Sequence, residues 1–541
     1  MADREDLGYV WAPGTVAISE AQPSGFAIIR QPKPTNDPND PLNWSWRRKV
    51  VNYGLVSYYV LWTFVALDIG FTAWGPMIEE LGLSIDGLNA AAAVNYAGLG
   101  FGCIFFIPFV HKYGRRPLYI ISVLTQLLSC VWQAEVHNQG NLVGANILSG
   151  VGGAISETIV QITIADVFFV HHHATMNAFY LLFTMAGAFL GPVASGFVVV
   201  DQGWRWIWWW CVIFIGINLV AVIFFYEETK YVPALEGHTE TSHSEDITNE
   251  TVAVFRRNSA QAVSDNPKHD EPHEVARQHS LINSDIRLKS YRERMALWTP
   301  TPGKIMHHFY QPIIVLFTFP AVSYTALTYG GTLATFAIMT SVQATYMIIP
   351  PYNFSAVGIG LMNIPPFIGC IIGFFVGYLN DASILRLAKR NGGVFEPEMR
   401  LWLALPSIIL LPAGILMFGI GLAKGVAWPL LAVGYGVWGV GFSVAADISL
   451  AYCTDCYQDI VGDSLVGIVF SRNLFSVVVL FTITPWINGM GIQNLHILTA
   501  SVMFVILCIP VALLKYGKAA RLWTRNRYSR YALRQPTSRT F

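Results

Sequence analysis

Long apolar runs separated by short polar breaks dominate this chain. Measured against the roughly 20 residues that cross a bilayer as a helix, they predict twelve spans, at 50–75, 88–110, 117–136, 142–167, 175–200, 205–226, 310–339, 355–379, 401–421, 427–451, 463–488 and 494–515. One long stretch, 228–308, breaks the pattern: it is charged, rich in Ser, His, Asn and Glu, and without apolar periodicity. Such a segment reads as a largely disordered linker, and it divides six spans from six. The predicted fold is an all-α integral membrane protein with twelve transmembrane helices in two six-helix halves, at 50–227 and 309–515. Residues 1–49 are polar and Pro-rich, a largely disordered tail with no secretory signal. Residues 516–541 form a basic tail.

Composition agrees with the pattern. Of 541 residues, 53% are hydrophobic and only 13% charged, about half the ~25% usual for soluble domains; mean hydropathy is +0.45. The formal net charge is zero, which gives no reason to expect a nucleic-acid partner. Seven cysteines, an odd number and mostly inside apolar runs, do not form a secreted disulfide framework. Basic clusters at Arg47–Lys49, Lys112–Arg116, Arg386–Arg390 and Lys515–Arg539 fall on one side if the number of spans is even. By the positive-inside rule that side is cytoplasmic, and both termini lie on it.

The halves repeat. After the second span, Ile107-Pro108-Phe109-Val110-His111 leads into Lys112-Tyr113-Gly114-Arg115-Arg116-Pro117; after the eighth, Gly377-Tyr378-Leu379-Asn380-Asp381 leads into Arg386, Lys389 and Arg390. Asp166 and Asp455 sit near the inner ends of spans four and ten. Two halves with matching loop chemistry mark a transporter built from repeats. The chain resembles the major facilitator superfamily, in its twelve-helix, fungal, drug:proton antiporter-like branch, over roughly residues 37–515. The resemblance rests on Asp40-Pro41-Leu42-Asn43-Trp44 before span one, Gly114-Arg115-Arg116-Pro117, Gly187-Ala188-Phe189-Leu190-Gly191-Pro192-Val193-Ala194-Ser195-Gly196 in span five, Gly203-Trp204-Arg205-Trp206, and Asn391-Gly392-Gly393 with Glu398-Met399-Arg400-Leu401. Span four, from Ser156-Glu157-Thr158 to Asp166-Val167-Phe168-Phe169-Val170-His171, is similar to a subgroup related to the yeast histidinol and polyamine transporter.

The resemblance implies a gate at Gly114, Arg115, Arg116, Asp381, Asp455 and Arg472. It also gives Gly187, Gly191, Pro192 and Gly196 a packing role in an antiporter motif. The chain departs from the branch at Ile107 and His111, where a Gly and an Asp are usual, and at Asn146, where an Arg tied to proton handling is usual. The gate is therefore expected to rest on Asp381 rather than His111.

Ionisable groups inside a bilayer persist where they face a polar cavity or a partner. The candidates are Asp68, Glu157, Asp447 and Arg472. Glu157 lies on a stripe of Asn146, Gly150, Gly153 and Gln161, and Asp447 on one of Tyr435, Gly436, Gly439, Ser443 and Thr454, both at helical spacing. The expectation is that Glu157 and Asp447 face each other across a central cavity, with Asp68, Asn146, Gln161, Ser443 and Tyr435 as further substrate- or proton-binding candidates. A structural role, as partner of an Arg or a backbone group, is the alternative for each carboxylate. By rise from residue 50, Asp68 falls in the outer third, near water. Arg472 is expected toward the cytoplasmic end, paired with Asp455 or Asp381. Tyr59, Trp62, Tyr329, Tyr435 and Trp438 are candidates for cation–π contacts.

His171-His172-His173 and Cys453-x-x-Cys456 lack a second ligand pair, so no metal is expected. No nucleophile elbow, di-metal pattern or Walker A loop is present, which argues against an enzyme, a cofactor or ATP-driven transport. The expected function is proton-coupled efflux of a small xenobiotic or secondary metabolite by a plasma-membrane monomer. The alternatives are uptake of an organic cation such as a polyamine, and a transporter-like sensor. The acidic bias of the candidates favours cationic or neutral cargo over anionic.

Overall fold

A computed structural model describes residues 12–17, 37–231, 287–300, 306–392 and 394–532, excepting the side chains of 170–171, 173–174, 377–382 and 385. Among the described residues ten helices are long and apolar enough to cross a membrane, and a bent pair makes eleven. The last of the ten runs 75 residues, Gln458–Ala532. Its Val461–Leu507 portion alone would be about 70 Å long at ~1.5 Å per residue, more than two bilayer cores. Gly491, at φ 79° and ψ 160°, breaks it. Divided there, the stretch is two helices rather than one.

Local chemistry sets the helix ends. Span one (Trp46–Asp68) continues through a tight turn, Ile69–Ala73, into Trp74–Leu81, which ends at Gly82 in the left-handed region. The Ser84 hydroxyl caps span two (Ile85–Tyr113), and Asn138 caps span four (Gln139–Val167). Span three is Arg116–Ala134, with Pro117 in its first turn, and span six Arg205–Phe225. Span five contains a π-helical segment, Ala186–Leu190, before Gly191–Gln202.

The expected span seven, 310–339, is two helices, His307–Thr318 and Pro320–Tyr346, bent by 93°. The residue before a proline is driven out of helical backbone, and Phe319 is extended accordingly, at φ −108° and ψ 113°. Span eight (Ile364–Arg390) is preceded by a short helix, Ala356–Leu361. Span nine runs through Pro397–Ala404 and Ser407–Ala423, and span ten is Trp428–Cys456.

The halves pack alike. Span four lies against spans two and three, and span ten against spans eight and nine. Tyr59, Tyr119, Trp208 and Tyr226 belong to the first core; Phe418, Tyr435 and Trp438 belong to the second. Span two meets span eleven, and the Gly191–Gln202 part of span five meets Ala356–Leu361, joining the halves. Ile217, Phe317, Ile409 and Val505 point outward, as helices in hydrocarbon require.

Parts of the tails and linker take defined conformations. Asn39 exchanges hydrogen bonds with Lys289 N and Arg287 O at 2.8 and 3.1 Å, and the Tyr231 hydroxyl donates to Asp37 at 3.2 Å. Val16–Ala17 pairs antiparallel with Val394–Phe395, a small exception to the all-α expectation. The basic tail is helical through Ala532, where Ile509–Ala532 places Arg521 on Glu398 at 2.6 Å. Most of the linker, 232–286, and residues 1–11, 18–36 and 533–541 lie outside the described residues.

Candidate functional site

Between the halves lies a cavity of about 1080 Å³, its mouth included, lined by Asp68, Asn95, Tyr96, Asn146, Glu157, Tyr329 and Arg472 among apolar side chains such as Leu99, Phe189 and Phe336. Its charged centre is built by two helices of opposite halves. Arg472 of span eleven forms an ion pair with Glu157 of span four; the two side chains are 9% and 2% exposed. Asn473 Nδ2 donates to the other Glu157 oxygen at 2.8 Å. Arg472 Nη1 donates to the Tyr329 hydroxyl at 2.7 Å, and the guanidinium lies 4.8 Å from that ring's centre. Arg472 Nε has no hydrogen-bond partner among the described residues.

This corrects two expectations. Arg472 is not at the basic end with Asp455 or Asp381: Asp455 is held by Arg400, and the Asp381 side chain lies outside those described. Glu157 and Asp447 do not face each other, because Arg472 occupies the place opposite Glu157; Asp447 is half-buried and is not a cavity residue. Asp68 is buried rather than near water, at the point where span one tightens into Ile69–Ala73. It lines the cavity, and its carboxylate has neither a hydrogen bond nor an ion pair among the described residues. Tyr96 and Tyr435 lie within electrostatic reach of it.

The polar stripes are largely packing seams. A Cβ on Gly150 would fall 2.1 Å from Asn95 O, so that glycine lets spans two and four touch. Asn146 lines the cavity and accepts from Asn95 Nδ2 at 3.2 Å, whereas Gln161 lies outside it with Oε1 unpartnered among the described residues. On span ten, Ser443 packs against Gly373 and Gly439 against Pro366 of span eight. Tyr435 is fully buried, 3.4 Å from the Thr340 hydroxyl and against the Phe418 and Trp438 rings. Tyr59 bonds Ser122, Trp62 stacks on Phe214, and Trp438 bonds Thr335. Of the five aromatics proposed for cation–π contacts, Tyr329 alone is a cavity residue.

At the end carrying Lys112–Arg116 and Arg386–Arg390, hereafter the basic end, the repeat becomes geometric. Arg115, at the start of span three, pairs with Asp166 at the end of span four at 2.9 Å; Arg400, at the start of span nine, pairs with Asp455 at the end of span ten. Gly114 has φ 108°, and a Cβ there would lie 2.4 Å from Glu228. The Glu228 carboxylate accepts from the backbone N–H groups of Arg115 and Arg116 at 3.0 and 3.1 Å, capping span three. Arg116 itself donates to Ile223 O at 2.7 Å and to Met295 O. Lys230 donates to Lys112 O and Thr299 O, both at 2.8 Å; burial, with Arg115 adding to it, lowers its ammonium to about 8. The first half therefore carries its own ion pair and cap despite His111. Sequence reading missed Glu228 because it was assigned to the linker, and the available signal was an acidic pair, Glu227-Glu228, directly after span six. Asn473 was missed beside Arg472.

The span-five motif makes close contacts on both sides. A Cβ on Gly187 would lie 2.6 Å from Leu61 O of span one, Gly191 sits on Val65, and a Cβ on Gly196 would lie 2.6 Å from Ala356 O in the other half. Pro192 O closes on Gly360. At the same end Ser341 donates to Asn89 at 2.6 Å, and Asn89 to Thr484 at 3.3 Å.

Comparison with known proteins agrees with this architecture. The family model described as Major Facilitator Superfamily matches residues 55–479. An uncharacterised MFS-type transporter of Schizosaccharomyces pombe is 32% identical, covering 93% of this chain and 89% of its own. Protein HOL1 of Saccharomyces cerevisiae is 29% identical, over 95% and 94%. The MFS transporter cpaT of Aspergillus oryzae is 25% identical, over 91% and 92%. The solved structure of the human organic anion transporter MFSD10 (TETRAN) superposes with a TM-score of 0.52 over 86% of this chain and 100% of that one; at 13% identity the likeness shows the fold alone. With two matching halves around one cavity and relatives aligned over nearly its whole length, the chain belongs to the major facilitator superfamily, as a multi-pass membrane transporter of the fungal group that includes HOL1.

Proposed function

We propose that this transporter exports a small, partly apolar organic cation, a xenobiotic or secondary metabolite, in exchange for protons. The charge balance of the cavity supports this. Glu157 is neutralised by Arg472, which leaves Asp68 as the carboxylate without an ion-pair partner among the described residues. A carboxylate in such surroundings holds a proton or a cation. When a proton and a cargo cation compete for one carboxylate, binding of either expels the other, which is exchange. Tyr329 and Tyr96 add aromatic surface. The Arg115–Asp166 and Arg400–Asp455 pairs act as gate latches in this scheme, with Gly114 and Arg116 shaping the first. The placement of the basic clusters supports cytoplasmic termini, and a cavity complete within one chain supports a monomer; the plasma membrane is the location proposed for it.

The likeness of span four to the polyamine-transporter subgroup favours a second reading, uptake of an organic cation such as a polyamine. Proteoliposomes with a lumenal pH dye separate the two. As a cation from a panel of aliphatic and aromatic amines enters, exchange alkalinises the lumen and co-transport acidifies it. Entry of a cation with no lumenal pH change would refute proton coupling.

A further inference from the structure

The first half's wall of the cavity carries a polar group that neither the sequence reading nor the proposed mechanism uses. Gln133, near the end of span three away from the basic end, lines the cavity and is 2% exposed. Its side-chain Nε2 has no hydrogen-bond partner among the described residues. A buried amide N–H left without an acceptor costs free energy, and native structures keep few of them.

Helix register places this group level with Asp68. Spans one and three leave the basic end in the same direction, and Thr63 Oγ1 donates to Gln126 Oε1 at 3.0 Å, which fixes their relative depth. Asp68 lies five residues past Thr63 and Gln133 seven past Gln126, so the two differ in depth by about 3 Å. Gly153 of span four shares the depth of Thr63 and Gln126, since a Cβ there would lie 3.5 and 3.3 Å from them. Asn146 is seven residues outward of Gly153, and Glu157 four residues inward. The Glu157–Arg472 pair therefore lies about 15 Å further in than Asp68 and Gln133. At the outer level Asn146 is occupied by Asn95 Nδ2 at 3.2 Å and by Leu142 O at 2.9 Å. Asp68 and Gln133 there offer an acceptor and a donor without partners among the described residues. The Trp208 ring lines the cavity beside them, 3.5 Å from where a Cβ on Gly70 would stand.

We infer that this outer level is a two-point cargo site. Asp68 takes the ammonium group, and the Gln133 side-chain N–H donates to an acceptor on the same molecule: an ether, carbonyl or ring nitrogen. Trp208 lies against its apolar body. The inference rests on the proposal that a cationic cargo sits at Asp68, and it narrows that cargo to cations carrying a hydrogen-bond acceptor. A cation without one would leave the Gln133 N–H desolvated and unpaired, so the site discriminates against it. Selection among cations is thus made on span three, away from Glu157 and Arg472.

The test is calorimetric titration of the full-length protein in nanodiscs at neutral pH. The probes are phenethylamine and its ortho-, meta- and para-methoxy derivatives, which add an acceptor without a donor and leave the charge unchanged. At least one methoxy derivative should bind about tenfold more tightly than phenethylamine, the gain expected from pairing a donor that is already desolvated. Gln133→Leu should erase that preference. Gln133→Met, which keeps the length of the side chain, carries the same expectation should the Leu variant elute as aggregate. Asp68→Asn should weaken all four amines together and keep the preference. No methoxy preference in the parent protein, or one that persists in a folded Gln133 variant, would overturn the two-point site; weakening by Asp68→Asn would then leave the cation reading standing. Binding of the whole series unchanged by Asp68→Asn, or absent from the parent protein, would remove the cation reading and the two-point site with it.

Discussion

Arg472 and Glu157 show how much one contact across the halves decides. Each is an ionisable side chain inside an apolar run, so each was legible as a candidate; their partnership was not. Helical periodicity tells which face of one span is polar, but not what another span brings opposite it. Removing one member of a buried pair leaves the other charge uncompensated, at a cost of about 3–5 kcal/mol. Glu157→Gln and Arg472→Gln should each lower the melting temperature sharply, and the double variant should lose less than the two single losses together. A double-mutant cycle on purified protein measures this; additive losses would mean the two residues do not act as a pair. Asp68→Asn should fold normally and abolish cargo-driven proton movement, while Asp447→Asn should retain it. Equal loss in both variants would return Asp447 to the centre of the site.

At the scale of elements, apolar run length located the crossings, but their joints depended on finer chemistry. Span seven was expected in one piece because Phe319-Pro320 is as apolar as its neighbours; the 93° bend comes from proline sterics, which hydropathy does not register. The span-five glycines were legible as packing sites, and the structure supplies their partners. Gly187→Val should reduce both stability and transport, since its side chain would meet the Leu61 carbonyl. Normal melting and uptake in that variant would show that span one can yield there.

Glu228 lay in a stretch too polar to suggest packing, yet it caps span three. Glu228→Ala should cost about 1 kcal/mol, read as a lowered melting temperature. Lys230 beside it is held at about 8, below its ordinary value. Its charged form is therefore disfavoured on folding, and that penalty is relieved as the pH rises from about 8 through the ordinary lysine range near 10.4. Relative to Lys230→Met, the parent protein should gain stability over that window and show no change in the difference below it.

For the whole molecule, the proposed cargo class rests on the charge of the cavity. On the proposed reading, with Glu157 and Arg472 cancelling and Asp68 favouring cations, organic cations should inhibit transport of the true cargo while anions of similar size should not. Stronger inhibition by anions would point to Arg472 as the cargo site instead. The sequence by itself determined the membrane class, the helical fold, the family and the set of intramembrane charges. All of these follow from local composition, run length and short motifs. Only the tertiary structure decided which charges are paired, which polar stripes are seams rather than walls, and that the first half keeps its own ion pair at Arg115 and Asp166. Those outcomes depend on the rotation and depth of each helix against the others. Both are set by close contacts such as Gly150 on Asn95 and Gly439 on Pro366, between residues far apart in the chain.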